Sequence, residues 1–229
     1  MLSQILYEDN HLIVVNKQPS EIVQGDKTGD ETLLQRVKDY LKHKYNKKGN
    51  VFLGVSHRLD RPTSGVLIFA RTSKALSRMN YLFKERLVKK TYLAVVKNKP
   101  PDTEAKLIHY LIKNEKQNKS YAYITPKKFS KEAILSYKVI GKSIGGYYLL
   151  EVALETGRHH QIRSQLASIG CPIKGDLKYG FQRSNKDASV CLHAYMVSFE
   201  HPVKKVPLEI TARPPKGDVW PHFHMPGII

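Results

Sequence analysis

The chain consists of short apolar stretches separated by polar turns, and most of these stretches have the length and alternation of β-strands. Asp9-Asn10 separates the first two stretches, which predicts a hairpin near the start of the sequence. Strands are predicted at residues 4–7, 11–15, 51–55, 65–70, 91–96, 136–140, 147–155, 190–199 and 206–212. Because strands dominate and a few helices are interspersed, the pattern indicates the α+β class.

Three other segments place apolar residues at the spacing of one helical face. The first follows Asp30 as its capping residue, the second begins at Thr72 or Ser73, and the third runs from about His159 to Ile169. No internal repeat or long linker interrupts these elements, so a single domain over residues 1–229 is predicted.

The charge of the chain is strongly unbalanced. It has 38 lysines and arginines against 20 aspartates and glutamates, which gives a formal net charge of +18 and a pI near 9.8. Such an excess favours a polyanionic partner, because each neutralised phosphate releases counterions. One strongly basic segment, Lys113–Lys131, includes Tyr121, Tyr123 and Phe129, which predicts either a hairpin or loop that touches RNA or a solvated surface insertion. Nucleic acid is the leading candidate for this partner.

The sequence carries no pattern typical of a signal peptide or a membrane span, so a cytoplasmic protein without a membrane partner is expected. No protein partner is implied, and a monomer is expected. Cys171 and Cys191 lie in apolar surroundings without a Cys-x-x-Cys pair, which predicts reduced core thiols. No metal site is predicted from the histidines, because adjacent or terminal histidines lack a ligand framework; they are His159, His160, His222 and His224.

The loop His57–Gly65, between two predicted strands, is the best candidate for chemistry. It combines the carboxylate of Asp60 with two arginines and two hydroxyls, and its proline and glycine restrict the backbone. Flanking guanidinium groups favour the ionised form of Asp60, as a nucleophile or base requires. The residues alone equally allow an aspartate that caps a turn or forms a stabilising ion pair.

This loop resembles the His-Arg-Leu-Asp-x-x-Thr-Ser-Gly signature of the RluA family of pseudouridine synthases. Further segments resemble family motifs in the same order, and the resemblance extends from about Leu6 to Pro214; these segments are residues 90–96, 156–163, 170–180 and 191–194. The resemblance implies a long mixed, largely antiparallel sheet flanked by helices, with a central cleft.

The resemblance also implies roles for individual residues. Asp60 is expected to be the catalytic carboxylate, Tyr92 to stack on the target base, and Arg163 to form an ion pair with Asp60. Helical spacing places Arg163 on the face away from Ile162. Substrate-binding roles are expected for His57, Arg58, Arg61, Thr63, Arg158, His159 and Gln161. No cofactor is required, because uracil is detached from C1′ of the ribose and rejoined through C5 without a redox change.

The sequence departs from the family pattern in the first motif, in the helix after Arg163 and in the expected absence of a second RNA-binding domain. The first motif usually reads Asn-Lys-Pro-x-Gly, whereas this sequence has residues 16–21 as Asn-Lys-Gln-Pro-Ser-Glu, which predicts a different loop geometry. After Arg163 the sequence continues Ser164-Gln165, where many members have an apolar residue and histidine. No small S4 RNA-binding domain is predicted, so RNA capture is expected to rely on the basic surface of the catalytic domain.

Two other functions are compatible with the residues. A glycosidic-bond hydrolase would use Asp60 together with a second acid such as Asp176, although a Gly-Asp turn favours a local hydrogen-bonding role for Asp176. A non-catalytic RNA-binding protein would keep the cleft for affinity alone. The sequence does not distinguish transfer RNA from ribosomal RNA as the substrate.

Overall fold

The computed structural model describes residues 2–25 and 29–223, and its elements confirm the α+β class. The strands are β1 (Ile5–Glu8), β2 (Leu12–Lys17), β3 (Gly54–Val55), β4 (Ser64–Ala70), β5 (Lys89–Val96), β6 (Glu104–Asn114), β7 (Lys119–Tyr123), β8 (Lys131–Lys142), β9 (Tyr148–Leu154), β10 (Leu192–Glu200) and β11 (Pro207–Thr211). The helices are α1 (Leu33–Lys44), α2 (Ser73–Lys84) and α3 (Gln161–Ser168).

The chain divides into two compact units. The first comprises residues 1–88 and 194–213, and the second comprises residues 89–193 and 214–229. The prediction that residues 1–229 form one domain, and that a central cleft crosses it, stays a prediction.

The first unit is built on antiparallel strands. β2 pairs with β1 and β4, β3 also pairs with β4, and β4 is hydrogen-bonded to β10, which pairs with β11. In the β2–β4 register Lys17 lies opposite Gly65, which is the last residue of the predicted catalytic loop. The pairing therefore brings the end of β2 directly beside that loop.

The core of the first unit lies between the sheet and α2. Met79 of α2 is fully buried in one cluster with Val14 of β2 and Ile68 of β4. Burying a side chain of this size stabilises the fold by about 1.5–3 kcal/mol. This packing holds rigid the two strands that carry the loop.

The capping residues were predicted correctly for α2 and wrongly for α1. Thr72 caps α2, since its hydroxyl accepts from the Ala75 N–H at 3.1 Å. The cap of α1 is Thr32, whose hydroxyl accepts from the Gln35 N–H, and not Asp30. Asp30 instead forms an ion pair with Arg61, because the helix begins too late for its carboxylate to reach the first turn.

The second unit has antiparallel strands in the order β5-β9-β8-β6-β7, with α3 packed against β6 and β7. The sequence pattern missed β6, which carries apolar residues on both faces rather than in clear alternation. The basic segment 113–131 includes β7 and the end of β6, so it is a hairpin followed by a loop. Its contact with RNA stays a prediction.

Other predicted features can be checked in the described residues. Both cysteines are buried free thiols, and burial together with the nearby Asp218 carboxylate raises the pKa of Cys191 to about 12. This agrees with the prediction of reduced core thiols. Across residues 2–25 and 29–223, no helix has the length and apolarity needed to cross a membrane.

Candidate active site

Residues 56–63 connect β3 to β4 as a tight polar loop, and the last two residues of the predicted segment, Ser64 and Gly65, begin β4. Within it, the Thr63 N–H donates to the Asp60 carbonyl oxygen at 3.0 Å, closing a turn. Gly65 has a φ of +117°, and a Cβ there would lie 2.2 Å from the carbonyl oxygen of Ala194. Only glycine permits this approach of β10. The loop path is therefore fixed, with Asp60 half-buried at its centre.

A lysine at the end of β2 holds the loop in place. Lys17 has no exposed surface. Its ammonium group donates to the carbonyl oxygens of Asp60, Arg61 and Thr63 at 3.2, 3.0 and 2.6 Å. Burial lowers the pKa of Lys17 to about 8, so the ammonium form predominates at neutral pH. Sequence reasoning overlooked this role, although the Asn-Lys pair of the first family motif was a signal for it.

Glu21 stabilises the loop at residues 18–21, where the sequence departs from the family's first motif. Its carboxylate accepts from the backbone N–H of Gln18 at 2.7 Å and from the guanidinium of Arg36 at 2.6 Å. Gln4 adds a contact to the same carboxylate at 3.1 Å. The backbone N–H of Ser20 then donates to the Arg61 carbonyl oxygen at 2.9 Å. Residues 18–21 therefore form an ordered loop that supports the segment containing Asp60.

Predicted substrate-binding residues of this loop differ in their surroundings. The Nε2 atom of His57 accepts from the Ile68 N–H at 3.0 Å, and the ring packs on Phe83 with centroids 4.7 Å apart. These contacts fix the position of His57. Arg58 and Arg61 are exposed, and Arg61 forms an ion pair with Asp30 at 3.0 Å. Both arginines are accessible to a phosphate, and their substrate-binding roles stay predictions.

Thr63 is the buried hydroxyl of the loop. It is 2% exposed, and its Oγ1 has no hydrogen-bond partner within the described parts of the chain. A buried polar atom without a protein partner calls for a specific explanation, because leaving it unpaired costs about 1–3 kcal/mol. A ligand atom is one such explanation, and the substrate-binding role of Thr63 stays a prediction.

In the second unit, Arg163 of α3 is clamped by a carboxylate that sequence reasoning did not assign to it. Its Nε and Nη2 atoms donate to the two oxygens of Asp176 at 2.7 and 2.8 Å. The guanidinium also lies over the Tyr179 ring, 5.1 Å from its centroid. Arg163 is only 5% exposed, because Asp176 and Tyr179 contact its guanidinium. The pairing of Arg163 with Asp60 stays a prediction.

Residues at the start of α3 and just before it join that helix to the sheet. His159 bonds with the Ser120 hydroxyl at 2.9 Å and with Asn118 at 3.1 Å. The side chain of Gln161 is buried, and its Nε2 donates to the Ile134 carbonyl oxygen at 3.1 Å. Arg158 donates through Nε to the carbonyl oxygen of Glu132 at 3.0 Å. These contacts give the three residues a positioning role, and their contact with substrate stays a prediction.

Tyr92 lies on the face of the second unit's sheet that α3 covers. The register places it opposite Val152, which in turn lies opposite Tyr137. Alternation along β8 and β6 puts His109 on this same face, where it contacts Gln165 of α3 at 3.1 Å. Tyr92 is half-buried and belongs to the same layer as the helix that carries Arg163.

The described residues contain no group of three or more side chains arranged to hold a metal ion. His159 and His160 stack on one another with ring centroids 3.8 Å apart. His222 belongs to a short 3-10 helix, and His224 lies outside the described residues.

Comparison with known proteins identifies one family whose matched range covers the loop, Tyr92 and Arg163. The family described as RNA pseudouridylate synthase matches residues 11–168, which is more than half of the chain. The chain belongs to this family. The matched range contains the three predicted catalytic residues, and the resemblance to the RluA family is confirmed.

Curated relatives and solved structures of the family agree with this assignment. The chain is 31% identical to tRNA pseudouridine synthase C of Vibrio cholerae over 95% of this chain and 92% of that protein. It is 31% identical to tRNA pseudouridine synthase C of Pectobacterium carotovorum over 99% of this chain, but spans only 63% of that protein. It is 34% identical to ribosomal large subunit pseudouridine synthase C of Buchnera aphidicola, over 92% of this chain and 68% of that protein.

The structure of human RNA pseudouridylate synthase domain containing 4 superimposes with a TM-score of 0.79 at 23% identity, over 94% of this chain and 90% of that one. This likeness shows that the fold is that of the family, as the sequence predicted.

Replacing Asp176 by Asn is expected to destabilise the fold by about 2–4 kcal/mol, because it removes a buried carboxylate that binds two nitrogens of the Arg163 guanidinium. Urea denaturation measures this change. Glu200→Gln, which removes an exposed ion pair with Lys205, is the control and should cost no more than about 1 kcal/mol. Equal effects of the two substitutions would show that the Asp176 clamp is unimportant.

Proposed function

We propose that this protein is an RNA pseudouridine synthase that isomerises specific uridines in structured RNA, either transfer or ribosomal, with Asp60 as the catalytic carboxylate. The observation that carries the proposal is the family's signature loop, held by Lys17 and Gly65 so that Asp60 has a defined position. Asp60 lies within the range that matches the family.

The proposed reaction breaks the N1–C1′ bond of uridine and forms a C5–C1′ bond. The proton at C5 leaves and N1 gains a proton, so the overall change is an isomerisation that needs no cofactor. The target base is extruded from its stack and packs on the ring of Tyr92. Asp60 acts either as a nucleophile or as the base that removes a ribose proton, and Arg163 orients it.

The burial of Asp176 argues against its use as the second acid of a glycosidic-bond hydrolase. Such an enzyme needs a second carboxylic acid that can exchange protons with substrate. Asp176 is 1% exposed, and both of its oxygens are bound by Arg163. This favours a structural role for Asp176 and leaves Asp60 as the reacting carboxylate.

The proposal includes a cytoplasmic location. Its support is that a strongly basic protein of this family needs access to transfer or ribosomal RNA. Action as a monomer remains part of the proposal. Curated relatives are named for transfer RNA and for ribosomal RNA, so both classes should be tested.

Incubating the protein with unmodified transfer and ribosomal RNA transcripts, followed by nucleoside chromatography, tests the proposal. We expect pseudouridine to accumulate in at least one RNA, with no release of free uracil. Free uracil would identify a hydrolase. Tight binding without either product would identify a non-catalytic RNA-binding protein.

A further inference from the structure

The loop between β7 and β8, residues 124–130, presents a large aromatic side chain to solvent. Phe129 is 84% exposed, and Ile124 at the other end of the loop is 82% exposed. This loop continues the basic hairpin, in which residues 113–131 contain six lysines and one glutamate. The exposed phenylalanine therefore lies in a strongly positive segment.

Phe129 is held in a conformation that its residue type disfavours. Its φ is +66°, in the left-handed region where glycine is preferred. The turn around it is fixed by Ser130, whose N–H donates to the Lys127 carbonyl oxygen at 3.0 Å. The Ser130 hydroxyl also accepts from the Lys127 N–H at 3.0 Å. Stability alone would favour glycine at position 129, so an exposed phenylalanine there needs a functional explanation.

The positive charge around Phe129 indicates which class of partner would bind there. Lys127 and Lys128 directly precede it, and the Lys128 ammonium lies 5.2 Å from the centroid of its ring. Lysines beside an aromatic face are the combination that binds single-stranded nucleic acid, in which bases stack and phosphates contact cations. An acidic protein surface would use only the lysine charges, and an apolar protein surface would use only the aromatic ring.

The hairpin is anchored on the residues that surround Arg163. The Ser120 N–H of β7 donates to the Tyr179 hydroxyl at 2.8 Å, and the Ser120 hydroxyl donates to the His159 carbonyl oxygen at 2.8 Å. Tyr179 packs under the Arg163 guanidinium. The turn end of the hairpin is thus tied to residues beside the helix of the proposed active site, and the loop with Phe129 follows the opposite end of β7.

We infer that Phe129 stacks on an unpaired base of the substrate RNA, while Lys127 and Lys128 contact the adjacent phosphates. This inference rests on the proposed function for the identity of the RNA. It assigns to residues 124–130 a binding site for nucleotides outside the reacting uridine, because Phe129 lies on a loop and not in the segments that carry Asp60, Tyr92 or Arg163.

Phe129→Gly and Phe129→Tyr test the inference by binding of an unmodified transfer RNA transcript and of single-stranded oligouridylate at fixed salt. Phe129→Gly should weaken binding about 5- to 50-fold and should leave the thermal midpoint unchanged or higher, since glycine relieves the disfavoured φ. Phe129→Tyr should retain binding, and Phe129→Leu should behave like Phe129→Gly. With an RNA that the wild-type protein isomerises, Phe129→Gly should raise KM and leave kcat constant.

Ile144→Gly is the matched control, since Ile144 is a fully exposed apolar residue in the turn between β8 and β9. Unchanged binding by Phe129→Gly, or equal weakening by Ile144→Gly, would overturn the inference. Equal binding by the leucine and tyrosine variants would also overturn it, because this would indicate a general apolar contact.

A fluorescence measurement separates this inference from the proposed function. The single native tryptophan, Trp220, is 5% exposed, so Phe129→Trp introduces an exposed reporter. Stacking should quench its emission when oligouridylate binds, whether or not any RNA is isomerised. Binding without quenching would contradict the stacking role even if pseudouridine is formed.

Discussion

Replacing Asp60 by Asn is expected to abolish pseudouridine formation while leaving the fold and RNA binding intact. Asparagine is neither a nucleophile nor a base, and the loss of such a group lowers turnover by at least about 1,000-fold. The loop should survive, because Lys17 and the Thr63 N–H bind the backbone carbonyl of residue 60 rather than its side chain. Single-turnover assays and filter binding measure the two properties separately.

Asp30→Asn is the control for this prediction. It removes the exposed ion pair with Arg61 and keeps the carboxylate of Asp60, so activity should fall only a few-fold. Wild-type turnover by Asp60→Asn would remove Asp60 from the mechanism.

Replacing Lys17 by Met should cause the largest loss of stability among the substitutions considered. Methionine has a similar length but no donor, so the carbonyl oxygens of Asp60, Arg61 and Thr63 would lose a shared partner. The carbonyl oxygens of Asp60 and Arg61 keep the N–H groups of Thr63 and Ser20, but losing three hydrogen bonds to a charged donor should lower the free energy of unfolding by about 2–5 kcal/mol. Activity should fall as well, because the loop that aims Asp60 would lose its fixed path.

Denaturant titration of Lys17→Met against Lys205→Met tests this expectation. Lys205 is an exposed lysine whose removal should change the free energy of unfolding by less than about 1 kcal/mol. Comparable stability of the two variants would mean that Lys17 does not hold the loop.

Much of the fold follows from local sequence patterns. β4 was predicted almost to the residue, because a continuous apolar run bounded by polar residues is typical of a strand buried on both faces. α2 was predicted from its cap and apolar spacing. The predicted strand at residues 51–55 is limited to Gly54–Val55, and β6 was missed, because pairing with neighbouring strands decides these boundaries.

The residues of the candidate site could be predicted from the sequence, but the contacts that hold them in place could not. The loop around Asp60 has a distinctive local sequence, so its residues could be singled out directly. Lys17 is 43 residues from Asp60 in sequence, and Asp176 is 13 residues from Arg163. No local pattern specifies contacts between residues so far apart. Burial of Arg163 likewise depends on Tyr179 and Asp176 folding over α3.

Release of tritium from RNA labelled at C5 of uridine tests the central claim most directly, since forming the C5–C1′ bond must expel the hydrogen at that carbon. We predict that the wild-type protein releases tritium from a transfer or ribosomal RNA and that Asp60→Asn releases none. Absence of release from every RNA that the wild type binds tightly would contradict the proposed isomerase.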